Sequence, residues 1–328
     1  MVSAKKMKAI RISEFGEPCV LKLIENLMIP KPSENEVLIE VKYAGVNPVD
    51  TYRRAGKYSV LPTLPWVPGS DCSGIISALG SNIRDKFSIG QRVFTTSTIT
   101  GSYASHALAS VHHVHALPSK LSFQQGASLG TPYFTAYSAL FDRGQAKSGE
   151  TVLIHGASGA VGIAAIQLAK ANNLTVIGTA GTTEGLDMIK SIGADYVFNH
   201  NADGYVNEIK GQFSNKINIV IEMLANQNLV IDCEMAAIKA RIMIVGCRGT
   251  INFDPRLTMG KLLDVRGVAL GMNSLDQWEN AGLQMSNWME SGDICPIISK
   301  EYDLQDAGKA HHDIIFNSGT TGKLVLRI

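Results

Sequence analysis

The chain has 328 residues and a mass of 35.3 kDa, enough for two domains, each with its own core. It is 45% hydrophobic and 18% charged with a formal net charge of +1, which excludes a broad basic field for nucleic acid and an acidic tail. No stretch is apolar for the length of a membrane span, and no apolar run follows the basic N-terminus MVSAKKMKAIRISEFG, so a soluble cytoplasmic protein is expected.

Residues 7–13 and 35–45 run or alternate apolar between Pro, Gly, Ser and Asn, as strands do. GSDCSGIISALG, GQRVFTT and SYASHALAS continue the pattern, so the first third is expected to form a compact β-rich domain without a competing helix. Asn47, Asp50 and Tyr52 then form a polar cluster in a short loop after a strand. His106, His112, His113 and His115 lie in a strand-like segment at spacings that do not share one face, which argues against a metal or RNA patch. Cys19, Cys72, Cys233, Cys247 and Cys295, odd in number and without C-x-x-C spacing, read as reduced thiols, most of them packed.

At Ser122 the character changes: SFQQGASLGTPYFTAYSALF offers an N-cap serine and then helical spacing. A domain boundary is placed here, giving a first domain of 1–124 and 295–328 and a second of 125–294. Within the second, TVLIHG, LTVIGTAG, YVFNH, INIVIEML and ARIMIVG alternate with GLDMIKSIG, VNEIKGQ, CEMAAIK and other helical segments. Buried runs alternating with helices mean parallel strands joined by right-handed crossovers, an α/β doubly wound sheet. GVALGMN at 267–273 reads as a further strand and SLDQWENAGLQMSNWMESG as a further helix. After Gly292 short strand-like pieces return, ending in GKLVLRI, which is expected to rejoin the first domain.

TVLIHGASGAVGIAAIQLAK at 151–170 puts a glycine-rich turn between a buried strand and a long helix, the context of the dinucleotide fingerprint. In its register the three key positions are Ala157, Gly159 and Gly162. Ala157 takes the tight turn, Gly159 admits a pyrophosphate, and Gly162 lets the helix lie against the sheet. The helix N-terminus there, with Ser158 and Ala160, presents amide N–H groups to the anion. In chains that choose NAD, an acid roughly 20 residues on holds the ribose 2′-hydroxyl. Here the second strand ends at Ala180, which favours NADP. Gly181 and the following GTTEG bring no Arg or Lys, leaving Asn199 and His200 as the nearest residues for a 2′-phosphate, with His200 equally readable as a surface histidine. Arg248 ends a later strand, where carboxyl-end loops face a cofactor.

AGVNPVDTYRRAGKY, LPWVPGSDCSGII, GTPYFTAYSAL, HGASGAVG, NHNADG, EMLAN and IVGCRGT together resemble the zeta-crystallin family of NADPH:quinone reductases, in the medium-chain dehydrogenase/reductase superfamily. The resemblance spans essentially the whole chain. It implies a GroES-like β domain split around a Rossmann domain, with the acceptor reduced in the cleft between them. The superfamily's Cys, His, Cys zinc positions fall approximately on Asn47, Ser70 and Thr131, none a good zinc ligand. Only Cys72 lies between residues 20 and 230, so the structural-zinc lobe is missing too. Without a Lewis acid, reduction of an electrophilic acceptor fits better than alcohol oxidation.

The resemblance carries Tyr52 to the nicotinamide side, with Asn47 beside it. Thr135 falls toward the nicotinamide ribose or amide, 157–160 on the pyrophosphate, and Ala180, Gly181 and Asn199 or His200 on the adenosine side. Asn228, Val245, Gly246, Cys247, Arg248, Val268, Ala269 and Leu270 complete the expected cofactor surface. Bacterial members that place a lysine for the 2′-phosphate after the second strand differ from GTTEG here. The family also implies a homo-oligomer, dimer or tetramer. Other readings are an NADPH-dependent enone or alkenal double-bond reductase, and, in a different class, a lens crystallin or a protein binding AU-rich RNA. Near-neutral charge and the lack of an RNA module argue against a dedicated nucleic-acid binder.

Overall fold

The structure, a computed structural model, describes residues 5–316 and 321–328. It divides into two compact units, Met1–Thr131 with Pro296–Ile328, and Pro132–Cys295. The first break falls at Thr131 rather than at 124.

The first unit begins with β1 (Lys6–Arg11) and β2 (Lys22–Met28), an antiparallel pair, then β3 (Glu36–Gly45) and helix α1 (Pro48–Arg54). β4 (Cys72–Leu79), β5 (Arg92–Thr95), β6 (His106–Ser110) and β7 (Val114–Ala116) follow. Helix α2 (Phe123–Gly126) comes next, capped by Ser122 with Gln125 completing a capping box, and α3 (Gly130–Tyr137) runs across the break into the second unit.

Two expectations fail, one in this unit and one across the chain. The polar cluster of Asn47, Asp50 and Tyr52 is no loop. Asn47 is the N-cap of α1, Pro48 takes its first position, and the Asp50 carboxylate reaches back to the Asn47 amide. That local capping outweighs the absence of an apolar helical period in so short an element. The thiols are also less packed than expected: Cys72 and Cys233 are buried, whereas Cys19, Cys247 and Cys295 are exposed. None of the five is in a disulfide.

The second unit contains β8 (Thr151–Ile154), α4 (Ala160–Ala171), β9 (Thr175–Ala180), α5 (Thr183–Ser191), β10 (Tyr196–Asn199), α6 (Tyr205–Phe213), β11 (Ile217–Glu222) and α7 (Ala225–Met235). After these come β12 (Ala236–Ile244), α8 (Arg256–Met259), β13 (Asp264–Gly267) and α9 (Leu275–Ser291). The six strands pair in the order β10-β9-β8-β11-β12-β13, all parallel. This is the doubly wound order with its switch point between β8 and β11. Leu153, Ile177, Val220 and Ile242, from four neighbouring strands, are buried and share one core cluster with Phe198 and Phe213.

The sixth strand lies earlier than 267–273. β13 is Asp264–Gly267, and 270–272 is a turn of 3-10 helix. Its partner β12 ends at Ile244, whose carbonyl takes the last amide, that of Val268, so the ladder has nowhere to continue. The helix read at CEMAAIK likewise starts earlier, at Ala225, and Ala236 already belongs to β12.

The tail is not all strand. β14 (Ile298–Asp303) and β15 (Lys323–Arg327) flank helix α10 (Ala307–Phe316). β15 adds to β3, so the tail does rejoin the first unit, in a seven-stranded sheet ordered β14-β15-β3-β4-β5-β7 with β6 on β3. Among the described residues no helix is long and apolar enough to cross a membrane.

Candidate active site

The expected cofactor residues of the second unit gather at one end of its sheet. Ala157, Ser158, Gly159, Ala160 and Gly162 follow β8; Ala180 ends β9 and Gly181 follows it; Asn199 ends β10 and His200 follows it. Val245 to Arg248 follow β12, Val268 to Leu270 follow β13, and Asn228 lies in the first turn of α7, after β11. Six strands thus deliver these residues at their carboxyl ends, where open parallel sheets hold ligands. Thr135 is buried on α3. Asn47 and Tyr52 belong to the first unit.

The glycine turn explains its own departure from the fingerprint. The backbone that must turn left-handed is Gly156, with φ of 56°, one residue before Ala157. Ala157 is therefore free to be alanine; its amide bonds the Thr179 carbonyl at 2.8 Å. Gly162 is required by packing: an added Cβ would stand 2.5 Å from the Ala157 Cα. Gly159 is different. A Cβ there would meet only the Gly156 carbonyl, at 3.4 Å, so nothing within the fold forbids a side chain. Gly159 is also the N-cap of α4 with no side-chain cap, and the first helical bond runs from Ile163 to Gly159 at 2.9 Å. The amides at the helix start therefore have no side-chain cap and no Gly159 side chain beside them, which suits an anion held by backbone.

The carboxyl end of β9, the position expected to select the nucleotide, carries no carboxylate on Ala180 or Gly181. Ala180 is fully buried, and a Cβ on Gly181 would come within 2.7 Å of His200 Nε2 and 2.8 Å of Asn201 Nδ2. Asn201 Nδ2 donates to the Gly181 carbonyl at 2.9 Å. His200 Nε2 therefore lies directly beside the residue that follows the selecting position. Burial, then the neighbouring His155, pushes the His200 pKa down, keeping this ring neutral.

Sequence reading missed the anchoring of the other loops. Glu222, fully buried at the end of β11, accepts from the Leu224 amide and from Asn228 Nδ2, the latter at 3.2 Å. Its backbone carbonyl takes the amides of Val245 and Gly246 at 2.9 and 3.2 Å. Asn226 Oδ1 accepts the Arg248 amide at 2.9 Å, and the exposed Cys247 thiol bonds the Gly249 carbonyl. Asn228 is thus tied to Glu222, and one buried acid sets both loops. An acid ending a strand of apolar residues, in INIVIEML, was the available signal.

In the first unit, Asn47 and Thr131, two of the three positions onto which the resemblance carries zinc ligands, meet around Asp71. Asn47 Nδ2 donates to Asp71 Oδ2 at 2.9 Å and to Thr131 Oγ1 at 3.3 Å. Asp71 Oδ1 takes the Thr131 amide at 2.9 Å and its hydroxyl at 2.6 Å, while Ser70 contributes its backbone carbonyl, bonded by Thr95 Oγ1 at 3.0 Å. Lys323 Nζ donates to Asn47 Oδ1 and to Asp71 Oδ2. The Asn47 side-chain amide is therefore held on both its atoms by a buried ion pair. Asp50, beside it, has its pKa pushed up to about 7, chiefly by burial and then by Asp71. Tyr52, half-buried on α1, follows Asp50 by two positions.

Comparison with known proteins gives this arrangement its context. Residues 33–119 match the alcohol dehydrogenase GroES-like domain, and residues 160–287 match the zinc-binding dehydrogenase family. The positions Asn47, Ser70 and Thr131 lie outside the second stretch. Human quinone oxidoreductase is 47% identical over 98% of both chains, and the mouse quinone oxidoreductase 46% over the same shares. The Escherichia coli quinone oxidoreductase, solved in complex with NADPH, superposes with a TM-score of 0.88 at 27% identity, covering 98% of this chain and 100% of its own. Nearly half identical to quinone oxidoreductases along almost its whole length, the chain belongs to the quinone oxidoreductase family of the medium-chain dehydrogenase/reductase superfamily.

Proposed function

We propose that the chain reduces quinones, ortho-quinones foremost, with NADPH and without zinc. The observation that carries this reading is the carboxyl end of β9, where Ala180 and Gly181 leave no acid to hold a 2′-hydroxyl and His200 stands alongside. The reduced nicotinamide, when bound, supplies the electrons. The turn from Ala157 to Gly162 binds the pyrophosphate through backbone amides. Gly181, with Asn199 or His200, takes the adenosine side, and Asn228, Val245, Gly246, Cys247, Arg248, Val268, Ala269 and Leu270 enclose the rest. Thr135 is assigned to the nicotinamide ribose or amide.

Tyr52 is assigned to the nicotinamide side, with Asn47 beside it, as the donor of a hydrogen bond or proton to the acceptor oxygen. A quinone needs little more, because its reduction generates a delocalised oxyanion of modest basicity. Amide and hydroxyl side chains at Asn47, Ser70 and Thr131 support zinc independence. The chain is further proposed to form a homo-oligomer, dimer or tetramer, for which the edge position of β13 and the half-exposed Val265 on it give support.

NADPH and NADH oxidation against an ortho-quinone, a para-quinone and a small enone, with and without chelator, tests the reading. Preference for NADPH and for the ortho-quinone, unchanged by chelator, is expected. Loss of activity on chelation, a preference for NADH, or faster turnover of the enone would each overturn the corresponding part.

A further inference from the structure

Beneath the nucleotide-selecting end lies a buried polar chain that pyrophosphate binding does not require. His155, in the glycine turn, places Nε2 2.9 Å from Asp232 Oδ1 on α7. Its Nδ1 is 3.4 Å from Thr179 Oγ1, in β9, and that hydroxyl is 3.5 Å from His200 Nδ1. His155, Thr179 and Asp232 are at most 3% exposed. One hydroxyl therefore stands between two imidazoles, and the second imidazole ends beside Gly181.

The directions of these bonds follow from what each group can donate. A carboxylate only accepts, so His155 Nε2 carries a proton toward Asp232. Burial opposes a charge on His155, but the charge and hydrogen bond of Asp232 outweigh it and raise the pKa, which favours a proton on Nδ1 as well. Glu222 adds to this field, its Oε2 lying 3.8 Å from His155 Nε2. With Nδ1 donating, Thr179 Oγ1 accepts from His155 and its single proton is available for His200 Nδ1. His200 Nδ1 is then an acceptor, and its ring proton resides on Nε2.

We propose that Asp232, His155 and Thr179 are positioning residues for NADPH: they hold the His200 ring in the orientation and tautomer that presents Nε2–H beside Gly181 to the 2′-phosphate. This rests on the reading that His200 meets that phosphate. It accounts for an NADP site without an Arg or Lys in GTTEG, since a neutral donor fixed in place loses little orientational freedom on binding an anion. The ligand group addressed is a phosphate monoester dianion on a ribose, and the chain acts on it only through His200.

Thr179→Val removes the hydroxyl while keeping the β-branched shape, and Thr179→Ser restores it. Dissociation constants for NADPH and NADH, measured by fluorescence titration, should show Thr179→Val weakening NADPH about 3- to 10-fold with NADH unchanged, and Thr179→Ser returning to the parent value. Nitrogen-15 NMR of the cofactor-free protein should find His200 in a single Nε2–H tautomer, averaged in Thr179→Val. His200→Ala separates the two levels of the argument. If it leaves NADPH affinity unchanged, the phosphate reading fails and takes this proposal with it. If His200→Ala weakens NADPH but Thr179→Val does not, or if serine fails to rescue, the positioning chain is wrong and the phosphate reading stands.

Discussion

Lys323 Nζ lies 3.3 Å from Asp71 Oδ2, with the two side chains 3% and 0% exposed, although the residues are 252 positions apart. The pair ties β15 to the residue preceding β4 and grips Asn47 between them. Burial pushes the Lys323 pKa down, while the charges of Asp71 and Asp50 oppose the shift. Removing one partner should therefore cost more than the pair contributes. Lys323→Met should destabilise the protein by about 3–5 kcal/mol in urea unfolding, and adding Asp71→Asn should recover much of it. A single-variant loss well under 1 kcal/mol would show that the pair is not desolvated as described.

Asp50 sets a pH dependence. Its folded pKa, about 7, is raised above the ordinary aspartate value of 3.8, so the bound proton stabilises the fold. That contribution is full below the unfolded value and is lost as pH climbs through the folded one. Glu222, also pushed up to about 7, first by burial and then by Asp232, acts in the same sense. Stability should fall between about pH 5 and pH 8, and Asp50→Asn, which keeps an oxygen for the Asn47 amide, should flatten part of the slope. Thermal unfolding across that range is the measurement; parallel curves for parent and variant would exclude Asp50 as a source.

Two glycines of one turn should behave oppositely. Gly162→Ala forces a Cβ to within 2.5 Å of the Ala157 Cα, an overpacking that should cost about 1–3 kcal/mol of stability. Gly159→Ala meets nothing closer than 3.4 Å and should fold with nearly unchanged stability. Its NADPH dissociation constant should nevertheless rise about tenfold or more, because the methyl occupies the anion's place. Unchanged binding by Gly159→Ala would remove the assigned role of that space.

The legibility of these features in the sequence tracks how local their causes are. The doubly wound sheet was readable because TVLIHG, LTVIGTAG and INIVIEML are continuous buried runs, and Ala180 was readable by its distance from the glycine turn. β13 was misplaced because apolar GVALGMN outscored DVRG, whose strand state depends on pairing with β12. α1 escaped because seven residues carry no period, although Asn47, Pro48 and Asp50 spell a capping box. The Asp71–Lys323 pair and the His155–Thr179–His200 chain had no signal at all. They join residues that only the fold brings together.

Tyr52 offers the most direct test of the proposed chemistry, because its role depends on how basic the acceptor oxygen becomes. Reduction of a quinone gives an aromatic oxyanion that water already stabilises well, whereas an enone gives an enolate that is considerably more basic. A hydrogen-bond donor is worth more to the second. Tyr52→Phe keeps the ring and so should leave the NADPH dissociation constant within about twofold. Turnover of an ortho-quinone should fall about 3- to 10-fold, an ordinary hydrogen bond being worth about 0.5–1.5 kcal/mol, and that of any enone the enzyme accepts about 10- to 100-fold, since a lost hydrogen bond to a more basic developing charge costs about 1.5–3 kcal/mol. Stopped-flow oxidation of bound NADPH by each acceptor reads this without interference from product release. Equal turnover by parent and variant with both acceptors would remove Tyr52 as a donor and leave it a contact of the cofactor alone.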